Sequence, residues 1–389
     1  MNYILFDDSR EKLLPLTFTR PVCDLRIGIL TIRGKWETYL RASISTLTED
    51  YLSVKFPMIS ASENVFVNGG VCPSAELISE INSLKNGERL VKEGKLLAER
   101  VDGDVSDFQK ETERGKEFAG EVLTVENPWE IFSKNGEAIE ADFELLTAGR
   151  QSGKLSESNT VIGNGKVFLE EGAKAEASIF NTTSGSIYLG KNTEVMEGSI
   201  IRGPFALCEG SQVKMGAKIY GPTTVGPQSR VGGEVNNSVI LGYSNKGHDG
   251  FLGNSVLGEW CNLGADTNNS NLKNNYDEVR VWSYEAKRFA KTGLQFCGLI
   301  MGDHSKSGIN TMFNTGTVVG VSTNVFGSGF PRTFIPSFQW GGAAGFSEYN
   351  QEKAFATAER VMQRRGKEFD SNEKAILSSV FELTKSYRN

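Results

Sequence analysis

Apolar positions in the middle of the chain recur at a fixed interval. Every sixth residue from Val195 gives Val195, Ile201, Leu207, Val213, Ile219, Val225 and Val231, all aliphatic. A helix would repeat near 3.6 and a half-buried strand at 2, so neither explains this spacing. A period of six predicts a short strand and a turn in each repeat, with the aliphatic side chain pointing into a narrow prism. The phase resumes in Phe251, Leu257 and Leu263, and again in Phe313, Val319 and Val325. Small residues follow at the bends, as in Val225-Gly226 and Leu263-Gly264. The pattern predicts a parallel β-helix over residues 159–336. An antiparallel sandwich would not keep one phase through so many turns. The phase breaks at 237–250 and 266–298, and insertions into a solenoid map to loops, where function concentrates.

The flanks follow other patterns. Residues 1–150 alternate strand-like runs, Tyr3 to Phe6 and Asn64 to Asn68, with helical spacing from Thr31 to Leu40. Ser74 is placed to cap a helix running to Leu84. This predicts an α/β domain of nucleotide-binding type. A polar linker, 147–159, leads into the repeats. Residues 347–389 predict two C-terminal helices, with Ile376, Val380 and Leu383 on one face of the second.

Charge and cysteines narrow the class. The net charge of −6 argues against nucleic acid as the main partner. The five cysteines are scattered and include no CxxC pair, which fits reduced thiols rather than a disulfide frame or a zinc site. The apolar run in MNYILFDDSR is too short for a signal peptide, and no window approaches the ~18 apolar residues of a membrane span. The expectation is a cytoplasmic protein with no membrane partner.

The polar residues gather where the six-residue phase fails. His248 lies in Asn245-Lys246-Gly247-His248-Asp249-Gly250, between Gly233-Glu234 and Asn262-Leu263-Gly264-Ala265. With about eighteen residues per coil, residues 234, 248 and 262 are expected to line one cleft. Histidine titrates closest to neutral pH and is the natural base for an ammonium that must lose a proton before attack. Glu234 is a candidate to orient it. Asn262, Asn274, Asn275 and Tyr276 suit sugar hydroxyls, and Arg230, Lys246 and Lys273 suit a phosphate. His304, in Gly302-Asp303-His304-Ser305, is the rival base, although its setting is that of a repeat corner.

This stretch resembles the acetyltransferase domain of the bifunctional N-acetylglucosamine-1-phosphate uridyltransferase/glucosamine-1-phosphate acetyltransferase family. The family's Lys-Ala-Gly-His run corresponds to Asn245-Lys246-Gly247-His248. Its Asn-Ile-Gly-Ala-Gly-Thr run corresponds to Asn262-Leu263-Gly264-Ala265-Asp266-Thr267, and its Cys-Asn-Tyr to Asn274-Asn275-Tyr276. Phe251 stands where the family has tyrosine. The resemblance implies a left-handed helix, a homotrimer with clefts between subunits, His248 as catalytic base and Glu234 as its partner. It implies acetyl-CoA as co-substrate, running near Gly264, Ala265, Asp266 and Gly308. The family's arginine-rich phosphate loop has no clear counterpart.

Leu14-Pro15-Leu16-Thr17-Phe18-Thr19-Arg20-Pro21 resembles the signature of nucleotide-sugar pyrophosphorylases. The glycine-rich loop that precedes it in that family is replaced by Phe6-Asp7-Asp8-Ser9-Arg10, and Asn68-Gly69-Gly70 stands where the family has a magnesium-binding Gly-Asp. The resemblance implies nucleotide binding, with Arg10, Thr17, Arg20 and Arg26 as candidates, and Mg2+ if the domain is active. Its metal ligands are unknown. The leading expectation is synthesis of UDP-N-acetylglucosamine from glucosamine-1-phosphate, acetyl-CoA and UTP. The alternatives are nucleotidyl transfer to another sugar-1-phosphate, such as a thymidylyl transfer to glucose-1-phosphate, and a non-enzymatic nucleotide-sugar-binding scaffold.

Overall fold

The computed structural model describes residues 1–110 and 114–388. They form two compact units: residues 1–13, 19–25 and 30–127, and residues 14–18, 26–29 and 128–389. By contacts the main division of the chain falls near residue 127.

The N-terminal unit holds a six-stranded mixed sheet in the order β2-β1-β3-β5-β4-β6. Its strands are β1 (Asn2–Phe6), β2 (Ser45–Leu47), β3 (Glu63–Asn68), β4 (Arg89–Lys92), β5 (Lys95–Asp102) and β6 (Lys116–Glu117). β1 pairs in parallel with β2 and β3, and β5 runs antiparallel to β3 and β4. The helices begin where capping chemistry predicts. Thr31 Oγ1 accepts from the Gly34 N–H at 3.0 Å ahead of Ile32–Leu40, and Ser74 Oγ accepts from the Leu77 N–H at 3.1 Å ahead of Ala75–Asn82.

The second unit is a left-handed parallel β-helix whose three faces hold six, nine and ten strands. The ten-stranded face ends in an antiparallel hairpin, Gln339–Gly342 with Gly345–Glu348. Equivalent residues on successive coils lie in register, as in Val213, Val231 and Lys246. The period-six aliphatics Val195 to Val231 are all buried in the prism, as expected. Gly264 shows why glycine is needed where coils touch: an added Cβ would lie 2.6 Å from the Gly308 carbonyl carbon. The phase break begins inside the coil, where Asn268–Asn269 still pair in parallel with Met312–Phe313, and the chain leaves the coil only after them, with Arg280–Ser283 and Arg288–Lys291 forming a small antiparallel hairpin in the insertion. Helices Pro128–Ser133 and Asn135–Thr147 belong to this unit, and Ile139 and Phe143 pack on Phe168, Tyr188 and Ala206 of the coils. The C-terminal helices are Gln351–Gln363, capped by Asn350, and Ser371–Leu383, capped by Asp370.

Candidate functional site

The broken phase at 237–250 has a simple origin. The coil there shortens: Arg230 pairs with Asn245, fifteen residues on, and Asn245 with Asn262, seventeen on. His248 lies in the corner Gly247-His248-Asp249-Gly250, between the strands Asn245–Lys246 and Phe251–Gly253. It is exposed on that turn and faces a cleft of about 790 Å³. Asn262, Gly264 and Ala265 line the same cleft, as does Arg230. Lys214, Tyr243, Trp260, Lys306, Arg364 and Arg365 complete most of the wall.

The electrostatics of this cleft are one-sided. Its charged lining is Lys214, Arg230, Lys306, Arg364 and Arg365, with no carboxylate among the described lining residues. Burial and the nearby Arg365 guanidinium both hold the Arg230 pKa below its usual value. Arg365 is likewise lowered, by burial first and then by Arg364. Like charges crowded in this way favour an anionic ligand that relieves them. Arg230 Nη1 donates to the Gly210 and Ser229 carbonyls at 3.0 Å each, and Arg365 Nη2 donates to Asn245 Oδ1 at 3.1 Å. One edge is aromatic: Tyr243 stacks on Trp260 at 4.3 Å between centroids, and His304 follows Trp260 at 6.2 Å. All three sit at coil corners with positive φ, of 51°, 61° and 60°.

Several predicted residues lie elsewhere. Glu234 is on a different face from Asn262, in register with Lys218 and Phe251, and its carboxylate is 3.9 Å from Lys218 Nζ. Residues 234, 248 and 262 are spaced by less than one full coil, which here takes fifteen to seventeen residues, and so do not fall at equivalent positions. Lys246 does not face a phosphate. It takes the inward position of Val231, is 2% exposed, and its Nζ donates to the carbonyls of Gly232 at 2.8 Å and His248 at 2.7 Å. Burial pushes its pKa down to about 8. Lys273 Nζ donates to the Glu278 carbonyl at 2.7 Å within the insertion. Asn274, Asn275 and Tyr276 are exposed in the same loop and do not line this cleft. Asp266 turns the coil with φ 56°, its N–H donating to the Asp249 carbonyl, and the Gly308 carbonyl accepts from Thr311 Oγ1. His304 is buried behind Trp260 rather than open to the cleft.

The missed residues left faint traces in the sequence. Lys306 stands in the outward column of Asn262 and Asn324, but the 266–298 insertion hides that register. Arg364 and Arg365 close the helix Gln351–Gln363, where cations suit the dipole. Nothing in the pattern placed that helix end over the cleft.

In the N-terminal unit, Arg10 lines a second cleft of about 310 Å³ with Asp7, Thr48, Glu49, Phe108 and Lys110. It lies 3.7 Å from Asp7 and donates to the Tyr51 hydroxyl. Burial raises the Asp7 pKa despite hydrogen bonds from Thr48 and the Val22 N–H. The other three nucleotide candidates do not line this cleft. Thr17 and Arg20 are buried, and Arg26 donates to the carbonyls of Leu241, at 3.0 Å, and Ile29. No group of three or more His, Cys, Asp or Glu gathers among the described residues. The pair Asp8 and Glu126 instead shares the Lys95 ammonium, at 3.5 and 2.6 Å.

Comparison with known proteins gives both halves relatives. Residues 3–151 match the sugar nucleotidyl transferase family model. The Bifunctional protein GlmU of Methanocaldococcus jannaschii is 28% identical over 248 residues, covering 63% of this chain and 51% of that protein. A Bifunctional sugar-1-phosphate nucleotidylyltransferase/acetyltransferase of Sulfurisphaera tokodaii is 29% identical over 214 residues, covering 54% and 46%. The chain thus spans about half the length of these curated relatives. Among solved structures, the polySia specific acetyltransferase NeuO covers 50% of the chain at 16% identity and a TM-score of 0.26, too slight a likeness to carry an argument.

Proposed function

We propose that this chain, a divergent relative of the bifunctional sugar-1-phosphate nucleotidylyltransferase/acetyltransferases, acts in sugar-nucleotide biosynthesis and transfers an acetyl group to an amino-sugar phosphate in its β-helix cleft. The observation that carries this reading is the cleft itself, where an exposed histidine and Asn262 stand in a lining whose charged groups are all cationic. Acetyl-CoA and glucosamine-1-phosphate are the proposed substrates. Both are phosphate esters, and Lys214, Arg230, Lys306, Arg364 and Arg365 suit their charge.

The chemistry follows from what the two substrates need. The sugar amine must lose a proton as its nitrogen attacks the thioester carbonyl. His248 takes that proton as the N–C bond forms, the C–S bond breaks, and the protonated ring returns the proton to the departing sulfur, so that coenzyme A leaves as the thiol and the base is regenerated. Backbone N–H groups near Ala265 are the candidates for the developing oxyanion. Lys246 bonds the His248 carbonyl from inside the prism and so braces the turn that carries the base. Glu234 remains with Lys218, and the ring needs no carboxylate to accept a proton. A homotrimer is part of the proposal, with Asn274, Asn275 and Tyr276 offered to a neighbouring subunit's cleft.

For the N-terminal unit the proposed role is at the nucleotide, with UTP as donor and UDP-N-acetylglucosamine as product. Its second reading, nucleotide binding without transfer, is favoured by the Lys95 contact with both carboxylates. The test is direct. Thiol release from acetyl-CoA is followed with and without glucosamine-1-phosphate. Release that depends on the amino sugar supports acetyl transfer, and none with any amino-sugar phosphate removes it. Pyrophosphate release from UTP and N-acetylglucosamine-1-phosphate separates the two readings of the N-terminal unit.

A further inference from the structure

Nucleotidyl transfer ordinarily uses Mg2+, which demands near-octahedral oxygen ligands at about 2.0–2.1 Å. The N-terminal unit offers an acidic pair, Asp8 and Glu126, both partly open to solvent. An ion shared by the two must sit where oxygens of both can reach it. Lys95, the first residue of β5, already occupies that place. Its Nζ is 2.6 Å from Glu126 Oε1 and 3.5 Å from Asp8 Oδ2. The same Asp8 oxygen accepts from Asn68 Nδ2 at 2.9 Å, and that amide also donates to the Leu96 carbonyl at 3.0 Å. Asn68 is buried and therefore fixed. An oxygen engaged by an amide donor and facing an ammonium is a poor ligand for a second cation. The Asn68 contact and Lys95 hold the Asp8 pKa below its usual value against the opposing effect of burial.

We infer that the N-terminal unit has replaced a divalent cation with its own ammonium, Lys95, and meets phosphate ligands without a metal of its own. The charge is supplied by a side chain, so its position does not depend on metal concentration. The cleft of Arg10 is lined by the cations Arg10 and Lys110 and by the carboxylates Asp7 and Glu49, and Arg10 lies 3.7 Å from Asp7, so Lys110 is the cation offered there to a phosphate. The ligand class is a nucleoside phosphate bound as the free anion. This part of the inference rests on the proposed nucleotide role, whereas the statement about the cation does not.

The test uses the full chain and Mn2+ as the probe, read by the loss of the free-ion resonance signal. Wild type should bind no Mn2+ at this pair. Lys95→Ala, which vacates the place, should gain one ion per chain, and Lys95→Ala with Asp8→Asn should lose it again. Lys95→Arg keeps the charge and should stay silent. Thermal midpoints confirm that the variants fold. In the Mn2+ arm, two results overturn the inference. One is a wild-type protein that binds Mn2+ and loses it on Asp8→Asn alone. The other is a folded Lys95→Ala variant that gains nothing. A second arm measures UTP affinity. Equal affinity, within about threefold, in Mg2+ and in excess chelator supports metal-free binding, whereas a tenfold loss in chelator overturns it. Absence of UTP binding in both conditions counts against the nucleotide role alone, and the Mn2+ result still decides the question of the cation.

Discussion

Replacing Lys246 with methionine tests the buried cation of the β-helix through pH. Folding takes this ammonium out of water, and its pKa falls from 10.5 to about 8, with burial the chief cause. One pKa unit corresponds to about 1.4 kcal/mol, so the fold disfavours the charged form by about 3 kcal/mol. The folded value lies below the unfolded one, so between them the unfolded chain holds more protons. Stability therefore rises with pH, beginning near pH 8 and ending near 10.5. Lys306, also lowered to about 8 by burial, adds a second rise of the same sign. In Lys246→Met the desolvated charge disappears, but the Gly232 and His248 carbonyls lose their donor, at about 1–3 kcal/mol. The two changes nearly offset at pH 7. The thermal midpoint there should move by only a few degrees, at about 2–4 °C per kcal/mol for a domain of this size. The wild-type rise above pH 8 should fall by about half, on the same linkage. Calorimetry of both proteins from pH 7 to 10.5 reads this out. Parallel curves would refute the reasoning.

The other predictions concern the cleft and the coil. Arg365→Ala removes a cation and its hydrogen bond to Asn245, and should weaken acetyl-CoA binding by about 10-fold or more, since a charged hydrogen bond is worth ~1.5–3 kcal/mol; titration calorimetry with unchanged affinity would contradict it. Gly264→Ala forces a Cβ against the Gly308 backbone, and should lower the thermal midpoint and thiol release together, as circular dichroism and the activity assay would show. Light scattering should give a trimer at micromolar concentration, and a monomer would contradict the shared-cleft proposal.

Much of the fold was readable because the prism repeats one simple constraint. Val195 to Val231 point inward every six residues, so each repeat restates the architecture. The caps Thr31 and Ser74 were equally plain, because each satisfies a helix N–H through a short local contact. The site was only half readable. His248 and Asn262 stand out as polar residues at a break in phase, and they do share a cleft. Lys246 looks loop-borne in the sequence, but a coil of fifteen residues shifts the register and turns it inward. Lys306, Arg364 and Arg365 reach the cleft across an insertion and a chain reversal, and such long-range placement leaves no local pattern. Residue type alone makes Arg20 and Arg26 look like phosphate ligands, but Arg20 is buried and Arg26 donates to the Leu241 carbonyl.

The proposed acetyl transfer depends on His248 as its base in the cationic cleft. The most direct measurement compares kcat and KM for thiol release from acetyl-CoA with glucosamine-1-phosphate in wild type, His248→Ala and His304→Ala. A positioned general base contributes about 10²–10⁴-fold. His248→Ala should lose that much in kcat with little change in KM, since the ring meets the reacting nitrogen rather than the bulk of either substrate. His304→Ala, altered behind Trp260, should lose far less. A folded His248→Ala protein with wild-type kcat would contradict the account.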